Sequence, residues 1–445
     1  MIVYKSRWVL PISHPSFEHG AVAVDSGRIA FVGSASDAPA GESVDLGDCA
    51  LMPGLVNTHS HLELTAMRGW LEDLPFRKWI IRLTKAREQV LTRERLLASA
   101  RCGIAEGLLA GITTYADTSE SGVVHEAMRD MRVRGVMFLE VFGPQAAQSR
   151  TALAALAERV APLRAADTTL VRTGISPHAP YSVSNELFSG AAHMAIADQL
   201  PIAVHAAESS AEQQLVAEAQ GDFADALRAR GIEVTPRATS TISLLDRIGV
   251  LRARPLLIHC VRADGDDVKK MADNGCSVAH CPASNAKLGH GIADLAGFLD
   301  AQVAVGLGSD SVASNNRMDM LDEARLAVLL GRATSRRWDV FPATLGLELG
   351  TRGGANAIGL ADAVGTLEVG KSADLAAFPM SGLHIQPVHD PESALLFATS
   401  GRGATMVMVA GEELVRNGTL VHAIDDDVAA MRGAAAALRP FAGGA

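Results

Sequence analysis

The chain has 445 residues, 48% of them hydrophobic and 20% charged, and a formal net charge of −10. This composition excludes a disordered chain, and an acidic balance with no basic block argues against binding nucleic acid through phosphate neutralisation. No apolar run reaches the roughly 18 residues a membrane-spanning helix needs, and "MIVYKSRWVL" lacks the pattern of a secretory signal, so a cytoplasmic protein is expected.

In chain order, residues 1 to about 50 read as short strands. "GAVAVDSGRIAFVGS" places a Ser-Gly turn between two alternating runs, a hairpin signal. From residue 51 the pattern changes to near-continuous apolar runs separated by helical stretches. The strand candidates are "LMPGLVNTHSH", "GITTYAD", "GVMFLEVFG", "LVRTGISPH", "PIAVHAAE", "PLLIHC", "CSVAHCP" and "QVAVGLGSD". The helical stretch "TRERLLASARCGIAEGLLA" has Thr92 as its N-cap and Gly111 just past its end. Apolar strands alternating with helices imply a parallel sheet covered on both faces, and eight of them predict a (β/α)8 barrel. A doubly wound open sheet is the runner-up, weakened by the lack of GxGxxG after a first strand. Beyond about residue 366, "GTLEVGKSADLAAFPM" and "TMVMVAGEELVRNGTLV" again read as short strands. The expected organisation is a composite β-sandwich from residues 1–50 and 366–425, a barrel over 51–365, and a C-terminal helix and tail over 426–445. Five cysteines without a CxxC pair read as reduced thiols; Cys260 and Cys281 read as packing residues.

In such a barrel the chemistry sits at the C-terminal ends of the strands. There the sequence places His59 and His61, then His178, His205 with Glu208, His259, His280 and finally Asp310. A single buried histidine is usually a satisfied core residue, but this many at one rim would each need a buried partner. His59, His61, His205 and Asp310 form a donor set for one divalent ion, zinc first and iron second, with a position open for water. Asp310 can also accept a proton from that water. Glu208 is expected as general acid/base and His259 as the group that steadies charge on the attacking oxygen.

These residues resemble the amidohydrolase superfamily in its one-metal aminohydrolase branch. The likeness runs through "DLGDCALMPGLVNTHSHLE", "HAAES", "AHCPASNAKLGHGIADL" and "GLGSDSVASNNRMDMLDEARLA", and it implies the same four ligands with Glu208 and His259 as catalytic partners. Within the branch the chain is most similar to deaminases of adenosine-type compounds, which implies a small purine nucleoside as partner, His178 as a substrate contact and Glu88 on the ribose hydroxyls. Phe76, Trp79 and Arg87, with "LEVFG", are closer to the aminodeoxyfutalosine deaminases of menaquinone synthesis than to the S-adenosylhomocysteine or methylthioadenosine group. A benzoate on the ribose side would use Trp79 as an apolar wall and Arg82 or Arg87 as its cation. His280 is a further candidate contact, and His290, after a glycine, is expected to face solvent. The alternatives are a triazine chlorohydrolase, a guanine or cytosine deaminase, and a scaffold that has lost its metal. A homo-oligomer is compatible with the sequence, which does not give its size.

Overall fold

The computed structural model describes residues 1–399 and 403–440. Five strands come first: β1 (Ile2–Val9), β2 (Phe17–Asp25), β3 (Arg28–Ser34), β4 (Glu42–Asp45) and β5 (Cys49–Pro53). The Ser26-Gly27 turn joins β2 to β3 with Asp25 opposite Arg28. Both turn residues have positive φ, 50° and 76°, as a two-residue turn matched to strand twist requires.

The eight expected central strands all form. They are β6 (Leu55–Ser60), β7 (Ile112–Ser119), β8 (Arg134–Val141), β9 (Val171–Pro177), β10 (Ala203–Ala206), β11 (Leu256–His259), β12 (Ser277–His280) and β13 (Ala304–Leu307). They pair in parallel as two four-stranded sheets, β6-β7-β8-β9 and β10-β11-β12-β13. Single parallel bridges, Ile175 to Ile202 and Ser60 to Asp310, link the outer strands of one sheet to those of the other. β6 to β8 are buried along their whole length, which is why they read as continuous apolar runs rather than alternating ones. The helix Arg93–Leu109 starts as expected, with the Thr92 hydroxyl accepting from Arg95 N. Gly111 follows with φ of +87°, and a Cβ there would meet Phe378 at 2.3 Å; the position needs glycine for both reasons.

The chain ends meet in one sheet. β14 (Leu375–Pro379), β15 (Met406–Val409), β16 (Glu412–Arg416) and β17 (Thr419–Leu420) continue the N-terminal strands in the order β17-β16-β15-β14-β5-β1-β2-β3, with β4 beside β1. β4 and β5 share the same edge of β1, which joins all nine strands in one hydrogen-bonded sheet. The C-terminal helix spans Asp425–Leu438; the expected tail at 441–445 lies outside the described residues.

A buried ion pair fastens this sheet to the central strands. At the start of β8, Arg134 donates through Nε to Asp374 Oδ2 at 2.8 Å and through Nη2 to Oδ1 at 3.0 Å, with both side chains under 8% exposed. Arg134→Ala leaves Asp374 buried and uncompensated, so a loss of about 3–5 kcal/mol is expected in denaturant unfolding. A change under about 1 kcal/mol would show that water replaces the guanidinium.

Candidate active site

The side chains at the strand ends converge on one mouth. His59 lies near the end of β6 and His61 just beyond it. Asp117, on β7, clamps the turn that carries His61: its Oδ2 accepts from the Ser60 hydroxyl at 2.9 Å and the Leu62 amide at 2.7 Å. Ring nitrogens of His59, His61 and His205 all lie within 4.8 Å of one another. Asp310 Oδ1 stands 3.3 Å from His59 Nε2 and 3.6 Å from His61 Nε2, while Oδ2 accepts from the hydroxyls of Ser284 at 2.5 Å and Ser314 at 3.0 Å.

His59 supplies the test of whether these residues fit a metal. It is 1% exposed, and neither ring nitrogen has a hydrogen-bond partner among the described residues. Such an arrangement is costly for an imidazole alone and is satisfied by a cation at the lone pair. Burial pushes His59 down to about 4 and His205 well below its ordinary value, so both rings are neutral, the form that binds metal. Burial opposes the charge of Asp310, but the imidazoles of His59, His259 and His61 outweigh it and hold the carboxyl well below the usual range. Three neutral nitrogens and one carboxylate suit a divalent ion.

Glu208 is 4% exposed and lies on the turn after β10. Its backbone N–H, with that of Ala207, donates to the carboxylate of Glu212 at 3.0 and 2.8 Å. Burial raises the Glu208 carboxyl, but His259 and His290 more than offset this and leave it below its ordinary value. His259 Nε2 is 3.7 Å from Glu208 Oε1, and its Nδ1 donates to Asn285 Oδ1 at 2.9 Å. His259 and Asp310 have φ of +73° and +56°. Such backbone strain clusters at working sites, where it aims side chains that a regular strand would not.

His61, His205, Glu208, His259 and Asp310 line a cavity of about 520 Å³ whose walls include Trp79, Glu88, Phe142 and Tyr181, a size suited to a small organic ligand. His178 reaches it, with Nδ1 2.8 Å from the Ser182 hydroxyl. Glu140 also reaches it; Oε1 has no hydrogen-bond partner among the described residues, and burial pushes the carboxyl well above its usual value.

Four expectations are corrected. Arg87 lines the cavity but is already engaged, with Glu63 at 2.9 Å and Glu120 at 2.5 Å; sequence separation hid both partners. Arg82 lies over the Trp70 ring, 5.2 Å from its centroid, and does not line the cavity. His280 lines a separate cavity of about 250 Å³. The sequence reading missed Glu212, although Ser209-x-x-Glu212 has the spacing of a helix-capping box. It also missed Arg230 at the cavity wall. Nor does His290 face solvent: its side chain is 5% exposed and turned toward Glu208. Cys260 and Cys281 are buried free thiols that burial pushes well above their ordinary values, consistent with packing.

Residues 50–414 match the amidohydrolase family. A 5-methylthioadenosine/S-adenosylhomocysteine deaminase of Moorella thermoacetica is 32% identical over 427 residues, covering 94% of each chain. The crystal structure of an adenosine deaminase from Xanthomonas campestris with bound zinc superposes with a TM-score of 0.87 at 30% identity, covering 99% of this chain and 98% of that one. Helicobacter pylori aminofutalosine deaminase, 21% identical with a TM-score of 0.82 over 93% of this chain and 100% of its own, shares the fold.

Proposed function

The chain belongs to the amidohydrolase family and is a hydrolase of C–N bonds, and from that premise we propose that it deaminates the C6 position of a 5′-substituted adenosine. The arrangement that carries this reading is Glu208, buried beside two imidazoles and lining the same cavity as His61, His205 and Asp310. In this reading the strands β6 to β13 form a closed (β/α)8 barrel over about residues 51–365, and the end segments form a second, smaller domain.

His59, His61, His205 and Asp310 would hold the ion, zinc by analogy with the Xanthomonas enzyme. A divalent ion bound there supplies Lewis acidity that brings water toward ionisation near neutral pH. Glu208, as carboxylate, takes a proton from the attacking water and delivers it to ring nitrogen N1 as the oxygen bonds to C6. His259 donates toward the new oxygen and steadies its charge. Ammonia leaves the tetrahedral carbon with a proton from the added hydroxyl, which becomes the 6-oxo group. His178 and Glu88, both on the cavity wall, would bind the purine and the ribose.

The distal group decides the substrate. Arg87 lies between Glu63 and Glu120, which together outnumber its charge, so it offers no free cation to a benzoate. The negative charge left over in that cluster, at the half-exposed Glu120, and Arg230 on the cavity wall would supply both charges that an amino-acid zwitterion needs. This favours S-adenosylhomocysteine, which the name of the Moorella relative also carries. Aminodeoxyfutalosine is the second reading, favoured by the aromatic wall of Trp79, Phe142 and Tyr181 with Arg230 as its cation. The test is kcat/KM for S-adenosylhomocysteine, methylthioadenosine, aminodeoxyfutalosine and adenosine under one set of conditions. A preference above about 10²-fold for S-adenosylhomocysteine over aminodeoxyfutalosine is expected, close to 3 kcal/mol of discrimination. The reverse order would restore the benzoate pocket, and no ammonia from any of them would remove the deaminase reading.

A further inference from the structure

We propose that His290 is a positioning residue for Glu208: it fixes the rotation of the carboxylate so that one oxygen is held and the other faces the reacting water and ring nitrogen. This rests on the deaminase reading above.

Three observations carry it. His290 Nε2 stands 3.4 Å from Glu208 Oε1, the same oxygen that His259 Nε2 approaches at 3.7 Å. Two imidazoles on one oxygen leave Oε2 to the cavity. Second, His290 is itself held. Its ring meets Phe76 edge to face with centroids 4.5 Å apart, and its backbone N–H donates to Asn285 O at 2.9 Å. Third, the segment after β12 performs the same service twice more. The Ser284 hydroxyl donates to Asp310 Oδ2, and Asn285 Oδ1 accepts from His259 Nδ1. One short stretch, residues 284–290, therefore orients Asp310, His259 and Glu208 together. His290 needs no other role to explain its place: its Nε2 is buried and, among the described residues, this approach to Glu208 is what it has in place of a tighter hydrogen bond, and such contacts commonly shorten when the ligand is bound.

The experiment compares His290→Leu, His290→Gln and His290→Asn in the metal-loaded enzyme. Gln places an amide where Nε2 lies, whereas Asn falls short. Leu and Asn are expected to lower kcat by about 10- to 10²-fold, the scale of a misplaced catalytic group, with KM and metal content unchanged. Gln should recover to within about threefold of wild type. Affinity for a nucleoside analogue with a hydroxylated tetrahedral carbon at the C6 position should fall in parallel with kcat, while affinity for the 6-oxo product stays constant. Should Leu not fold, the Gln and Asn pair carries the same comparison. Wild-type kcat in the Asn variant, or Gln and Asn equally impaired, would overturn the role of His290 and leave the deaminase standing. Absence of ammonia release from every adenosine derivative by the wild type would overturn both.

Discussion

His61→Ala is expected to purify as a folded protein that retains neither metal nor activity. The three remaining donors are His59, His205 and Asp310, and Asp310 Oδ1 then loses one of the two imidazoles beside it. His61 is the right position for the test because its side chain is 15% exposed. The turn that carries it is clamped by Asp117 through Ser60 and the Leu62 amide, not through the imidazole. The fold therefore survives the truncation. Loss of a partner one step outside the ligand shell already costs 10- to 100-fold in metal affinity, so loss of a ligand should exceed about 100-fold. After dialysis, elemental analysis should find about one divalent ion per wild-type chain and almost none in the variant. Far-UV circular dichroism should be unchanged. A His61→Ala protein that kept its ion and turned over nucleoside at the wild-type rate would remove His61 from the proposed ligand set.

The gathering of histidines and Asp310 at one rim was legible because strands are local. Each of the eight runs carries its own apolar signal, and each ends in a polar residue whose position follows from where the run stops. The assignment of His59, His61, His205 and Asp310 needed no knowledge of loops. What lay beyond the strand ends was less legible. Arg87 reads as a free cation on a mixed helix, yet Glu63 and Glu120 approach it from two other segments. His290 reads as a loop residue after glycine, yet the path of the chain from β12 folds it back over Glu208. His280 shows a different limit. It is the residue next in register to His259, since Ile258 pairs with Ala279, and the strand pattern alone sends both to the same rim. His259 leaves the pleat with φ of +73° and lines the main cavity, while His280 stays on its strand and lines another. No periodicity reports a single residue in left-handed backbone.

Glu208→Gln isolates the proton-transfer step from the binding of metal and the shape of the site. The turn that presents residue 208 is held by Glu212, which accepts from the backbone amides of Ala207 and Glu208 and from the Thr241 hydroxyl. None of those bonds uses the Glu208 side chain, so the amide should occupy the same place. Glu208 is outside the donor set of His59, His61, His205 and Asp310, and metal content should stay near that of the wild type. What disappears is the ability to take a proton from water and return it to the ring nitrogen, a contribution usually of 10² to 10⁴ in rate. The expected kcat is therefore lower by about 10² or more, with KM changed little. Stability should fall a little as well. The Glu208 carboxyl lies below its ordinary value because His259 and His290 outweigh the cost of burial, so neutralising it removes a net favourable interaction above the ordinary carboxylate range. Thermal unfolding of the metal-loaded variant should show a midpoint no higher than wild type. A fully loaded Glu208→Gln enzyme with wild-type kcat would exclude Glu208 as the acid/base. It would also take the proposed role of His290 with it, since that residue acts only through this carboxylate.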